Sequence, residues 1–151
     1  MLGQALGFDP TQVIAATGIG EFPLGTVGED QNGKRYVYCR ANGALTAKTA
    51  VSIDINYDAA PSGNAGKVDG VVNTAVADNE YCWVQTSGRC TNVNVKDGLT
   101  AGMWLAVITD ANGDLLEISA TSATTGAHAI RAKLLENVAA GVADIHLYPT
   151  F

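Results

Sequence analysis

The chain has 151 residues, a formal net charge of −6 and a pI near 4.6, with 47% apolar, 16% charged and 7% aromatic residues. That apolar share is too high for a disordered chain, the length suits one domain with a real hydrophobic core, and no apolar run approaches the roughly 18–20 residues of a membrane helix. The Lys and Arg residues, nine in all, are scattered rather than clustered, which argues against nucleic acid as a partner because a phosphate backbone is held by grouped cations.

In chain order, residues 1–33 stand apart. They carry Gly3, Gly7, Gly18, Gly20, Gly25, Gly28 and Gly33, and their only charges are Asp9, Glu21, Glu29 and Asp30. Such a stretch packs against something else more readily than it forms a core, so it reads as an arm or a long edge excursion, with residues 34–151 as a single β domain. Within the arm, Asp9-Pro10 predicts a helical turn or two across 9–16, with Asp9 as cap and Pro10 at the first helical position. Beyond it the period is two, as strands require. Lys34–Arg40 puts Tyr36 and Tyr38 on one face and Val37 and Cys39 on the other. Val51–Tyr57 alternates Val51, Ile53, Ile55 and Tyr57 with Ser52, Asp54 and Asn56. Asp58–Gly66 reads as a loop.

Tyr81–Thr86 sets Tyr81, Trp83 and Gln85 against Cys82, Val84 and Thr86. Val93 and Val95 continue the pattern. Met103–Ile108 is apolar on both faces and predicts a central strand. Leu115–Ile118, Ala129–Leu135 and Ala143–Tyr148 complete the series, with Thr121–Ala127 as a loop. Asn32-Gly33, Asn42-Gly43, Asp69-Gly70, Ser87-Gly88, Asp97-Gly98, Asn112-Gly113 and Ala140-Gly141 mark turns between strands. Gly98 is expected at positive φ. The fold class that follows is all-β: a small sandwich or barrel of short antiparallel strands with an extended Gly-rich N-terminal arm.

The chemistry-bearing residues form no catalytic constellation, so no catalytic residue, cofactor or metal is expected. There is no GxSxG, HExxH, P-loop or GxGxxG. Cys39, Cys82 and Cys90 lack the spacing of a zinc site, and a hairpin at Ser87-Gly88 would set Cys90 opposite Thr86, not Cys82. Packed, reduced thiols made in a reducing cytoplasm are expected. Asp144 and His146 share a strand face and read as a surface or interface pair. Tyr81, Trp83 and Gln85 make an aromatic-plus-amide face, which suits a core or subunit interface, with sugar stacking as the alternative.

One larger pattern remains. Trp83-Val84-Gln85-Thr86-Ser87-Gly88-Arg89, then Val93 and Val95, then Leu99-Thr100-Ala101-Gly102-Met103-Trp104-Leu105 and Asp110-Ala111-Asn112-Gly113-Asp114-Leu115 resemble the small head-decoration, or capsid cement, proteins of tailed bacteriophages. Phe22-Pro23-Leu24-Gly25-Thr26, Tyr36-Val37-Tyr38 and Gly43-Ala44-Leu45-Thr46-Ala47 resemble their N-terminal half. The resemblance implies a non-enzymatic virion subunit, made in the host cytoplasm. It would bind outside the capsid shell as a homotrimer and stabilise adjacent major capsid proteins, touching neither nucleic acid nor membrane. Its candidate interface residues are Phe22, Leu24, Tyr36, Tyr38, Tyr81, Trp83, His146 and Tyr148. A carbohydrate- or receptor-binding module on a phage surface is the alternative.

Overall fold

The computed structural model describes residues 4–5, 7–62, 68–95, 97–102, 104–107, 116–117 and 132–148, and among them strands are the only regular elements. The chain is all-β. The strands are β1 (Gln4–Ala5), β2 (Val27–Glu29), β3 (Arg35–Ala41), β4 (Thr49–Ile53), β5 (Asp58–Pro61) and β6 (Gly70–Val72). They are followed by β7 (Tyr81–Asn94), β8 (Trp104–Val107), β9 (Leu116–Glu117), β10 (Ala132–Leu134) and β11 (Val142–Leu147).

The pairings close on themselves. β3 pairs β5, β5 pairs β4, β4 pairs β6, β6 pairs β7, and β7 returns to β3. Five strands thus form a small barrel, with the β3–β5 join parallel and the others antiparallel. All five contribute to one buried cluster: Cys39 and Ala41 from β3, Val51 from β4, Ala59 from β5, Val72 from β6, and Cys82 and Val84 from β7. Leu45 and Val76, bridged to each other, join the cluster from the connecting loops. The lining is Ala, Cys and Val for a geometric reason. Eight strands leave an interior that side chains just fill, so five leave room only for small ones.

β7 carries the architecture. It is 14 residues long. Its first half, Tyr81–Ser87, pairs β3, and its second half, from Gly88 to Asn94, pairs β11. β11 then pairs β10, β10 pairs β8, and β8 pairs β9. This second layer buries Cys90, Val93, Ala132, Leu134, Ala143, Ile145 and Leu147 against Ala50 and Val71, which lie on the outer faces of β4 and β6. The barrel's β4 and β6 therefore pack on both sides, with Val51 and Val72 inward and Ala50 and Val71 outward.

Ser87-Gly88 is therefore not the expected hairpin. Gly88 takes φ +94 inside a continuous strand, a conformation that glycine adopts without a Cβ penalty. The strand turns there from one sheet into the other, so no hairpin register governs Cys82 and Cys90. A bulge follows, where the β7–β11 register shifts between Ala143 and Ile145. Asn92 sits in it at φ 53, and its N–H donates to Asp144 Oδ1 at 3.1 Å.

Four further expectations change. Residues 9–16 form no helix. Asp9 Oδ1 accepts from Thr11 N (2.9 Å) and Thr11 Oγ1 (2.7 Å), which closes a single turn, and the chain then extends so that Ile14 bridges Tyr81. The strand starting near Val51 stops at Ile53, because Asp54 Oδ1 collects the N–H groups of Asn56 and Asp58 and turns the chain. Asp58–Pro61, expected as loop, is the parallel partner of β3, pinned where Arg40 Nε and Nη2 donate to the Asp58 carboxylate at 2.9 and 3.0 Å. Gly70, expected in a turn, begins β6. Elsewhere the alternation is borne out. β3, β10 and β11 follow it, β8 is flanked on both sides as a central strand should be, and Gly98 has φ +84. The Asn112-Gly113 turn and the Thr121–Ala127 loop lie outside the described residues.

Candidate interaction surface

Alternation in β3 and β7 decides the outer face of the barrel. With Cys39, Cys82 and Val84 turned inward, Tyr36, Tyr38, Tyr81 and Trp83 must point outward, and Tyr38 lies directly opposite Trp83. These rings are not bare. The N-terminal segment folds back over them, held by reciprocal Ile14–Tyr81 backbone bonds of 3.0 and 2.9 Å and by Gly25 N donating to Tyr38 O at 2.8 Å. Phe8 sits with its ring centre 4.3 Å from Trp83 and 5.6 Å from Tyr36. Phe22 lies 5.3 Å from Trp83 and 5.6 Å from Tyr38, both edge-on. Leu24 packs beside them, and Tyr81 stacks on Tyr38.

Each aromatic contact of this kind contributes about 0.5–1.5 kcal/mol beyond the area it buries. Together they outweigh one cost: Trp83 Nε1 is buried with no hydrogen-bond partner among the described residues, a penalty of roughly 1–3 kcal/mol. Gly28 makes the arrangement possible, since a Cβ there would stand 2.4 Å from the Phe8 ring.

The structure therefore brings six of the eight candidates, Phe22, Leu24, Tyr36, Tyr38, Tyr81 and Trp83, into one cluster. Tyr36, Tyr38 and Trp83 are sealed inside the chain, so a partner reaches them only if the N-terminal segment lifts. With Trp83 2% exposed, a sugar has no ring face to stack on while that segment is docked. His146 and Tyr148 lie elsewhere, on and just beyond β11, with ring centres 4.7 Å apart. Asp144 does not serve His146. Arg89 Nε donates to Asp144 Oδ2 at 3.0 Å, and Arg89 first, then the Asn92 N–H, hold this carboxyl below its ordinary pKa.

Sequence reasoning passed over Phe8 and Ile14, the two residues that fasten the segment. The available signal was Phe8 directly ahead of the Asp9-Pro10 turn. It also gave no weight to Ile19 and Ile55, which are 94% and 93% exposed.

The cysteines offer no reactive group. All three are buried and free, with Cys39 opposite Cys82 across β3 and β7. Burial pushes the Cys82 and Cys90 thiols up to about 12, and the Cys39 thiol well above its ordinary value. Among the described residues no group of His, Cys, Asp and Glu is placed to hold a metal ion.

The class defined here is an all-β domain built on a five-stranded barrel, with an N-terminal segment packed over an aromatic face. Compared with known proteins, the chain matches no family model, and no curated protein matches it significantly.

Proposed function

We propose that this chain is a structural subunit of a tailed-bacteriophage virion. It binds outside the capsid shell as a homotrimer and stabilises adjacent major capsid proteins without doing chemistry. The observation that carries this reading is the N-terminal strip. It crosses the outside of the barrel through a series of turns and adds β1 in parallel beside β2, at one end of the sheet order. An edge strand presents unpaired backbone N–H and C=O groups to a neighbouring chain. Ile19 and Ile55 supply exposed apolar contacts, and Tyr148 is part-exposed beside His146. The net charge of −6 favours a place outside the shell over contact with packaged DNA.

The test mixes the purified chain with expanded empty shells, follows co-sedimentation, and measures the temperature at which the shells rupture. Saturable binding with a raised rupture temperature is expected, together with a trimeric mass by light scattering. No gain in rupture temperature at saturating addition overturns the reading. Selective, saturable binding on a glycan panel with no binding to shells replaces it with the sugar-binding one.

A further inference from the structure

Three of the nine cationic side chains converge on one cleft. Lys34, Lys48 and Arg89 line it together with Tyr36, Asn73 and Gln85, and its volume is about 180 Å³. That is smaller than the roughly 300–1,000 Å³ of a typical small-molecule pocket, yet many times the space a single water needs. The size therefore suits a small anion.

The cleft is built rather than incidental, and its floor is a chain of hydrogen bonds. Gln85, 1% exposed, donates from Nε2 to Ser87 O and Arg89 O, both at 3.1 Å, and its Oε1 accepts from Asn73 Nδ2 at 3.1 Å. Asn73 Oδ1 accepts from Lys48 Nζ at 3.0 Å. One buried amide thus fixes both the partner of Lys48 and the backbone that carries Arg89.

Lys48 itself is held in an unfavourable conformation, φ 65. A non-glycine residue stays in that region only where its surroundings over-determine it, and such residues gather at functional sites. Here its N–H donates to Val72 O at 2.7 Å and its C=O accepts from Asn94 N at 2.9 Å, so backbone bonds on either side impose the strain and fix where the side chain leaves the backbone.

The cations that enter no ion pair point to the class of ligand. Three carboxylates adjoin the cleft through its lining residues, and all are engaged: Asp9 Oδ1 takes the N–H and the hydroxyl of Thr11, which lines the cleft. Asp144 takes Arg89 and the Asn92 N–H, and Asp30 Oδ1 takes the backbone N–H groups of Asn32 and Lys34. None of the ion pairs among the described residues uses the ammonium of Lys34 or of Lys48. Carboxylates that accept from neutral groups keep their charge, so the surroundings of the cleft are balanced overall. What stands out is that Lys34 and Lys48 line it outside any of these ion pairs, and with Arg89 they bring three cationic groups around a small space, which matches a tetrahedral oxyanion. Tyr36, pushed up to about 12 chiefly by burial and then by Asp30, keeps its proton at neutral pH and donates it in a hydrogen bond to the Asp30 carboxylate.

We infer that the cleft formed by Lys34, Lys48 and Arg89 over the Gln85–Asn73 floor binds a phosphate monoester dianion. The inference does not depend on the capsid reading. A phosphate monoester carries close to two charges at pH 7 and loses one as pH falls through about 6. A sulfate ester stays monoanionic throughout, so the two sources separate experimentally.

The experiment titrates the intact chain with inorganic phosphate, glycerol phosphate and methyl sulfate. Ionic strength is held with chloride, and the side-chain amide signals of Asn73 and Gln85 are followed by heteronuclear NMR. Saturable shifts with inorganic phosphate and glycerol phosphate at pH 7.5, weakening at pH 5.5, are expected, with little response to methyl sulfate. Lys34→Ala and Lys48→Gln should each weaken phosphate binding roughly tenfold, as loss of a charge-assisted bond does, at an unchanged melting temperature. If Lys48→Gln does not fold, Lys34→Ala alone decides. The proposal is overturned by shifts that fail to saturate, by equal binding of methyl sulfate, or by unchanged affinity in a folded Lys34→Ala.

Discussion

Phe8→Ala tests whether the N-terminal strip is a fixed part of the domain. Truncating a fully buried Phe costs about 3–5 kcal/mol. Phe8 is only partly buried and packs at the edge of the cluster against Trp83 and Tyr36, so about half of that, ~2 kcal/mol, is expected. For a domain of this size each kcal/mol moves Tm by roughly 2–4 °C, which gives a fall of about 4–8 °C. The same change uncovers Trp83, so acrylamide quenching of tryptophan emission should rise. Gly28→Ala should reproduce the quenching, since its Cβ would occupy the Phe8 ring position. Calorimetry and quenching on the same samples decide the matter. If Phe8→Ala melts within about 1 °C of the parent and quenches identically, the strip does not hold the aromatic face and the reasoning fails.

Three other predictions follow from the same geometry. Deleting residues 1–20 should leave a folded barrel, read from far-UV circular dichroism, that binds shells poorly; an unfolded product would place the strip within the cooperative core. Gly88→Ala, at φ +94, should lower the urea midpoint by the equivalent of roughly 1–3 kcal/mol, and an unchanged midpoint would contradict the bend assigned to β7. Asp144 has a folded pKa below its ordinary 3.8. Its contribution is therefore complete above about pH 4 and is lost as pH falls through the native value. Asp144→Asn should flatten the acid limb of the stability profile; an acid limb as steep as the parent's would show that the Arg89 pair does not contribute.

A fifth prediction concerns the thiols. With Cys82 and Cys90 near 12, about one in ten thousand is thiolate at pH 8. A disulfide reagent should leave the native chain unlabelled and take up three equivalents, one per cysteine, after unfolding. Fast labelling of the native protein would refute the packing assigned to these residues.

Much of this fold was legible from alternation. Tyr36 and Tyr38 against Cys39, or Ala143, Ile145 and Leu147 against Asp144 and His146, follow from a period of two, because successive side chains of a strand must face opposite ways. Turn residues were less reliable. Gly88 and Gly70 look like turn glycines in the sequence, yet both lie inside strands. Positive φ and close approach serve bends within a sheet as well as turns between strands, and nothing local distinguishes the two.

The composition and the period of two by themselves determined an all-β chain with aromatic faces and a glycine-rich start that carries no Lys or Arg. Tertiary structure alone decided that five strands close into a barrel through the β3–β7 pairing, that Asp58–Pro61 is a strand, and that Phe8 covers Trp83. It also decided that Lys34, Lys48 and Arg89 share a cleft. The physical reason is range. Alternation is written in neighbouring residues, whereas closure, covering and convergence join residues that lie tens of positions apart, and only the whole packed chain satisfies them together.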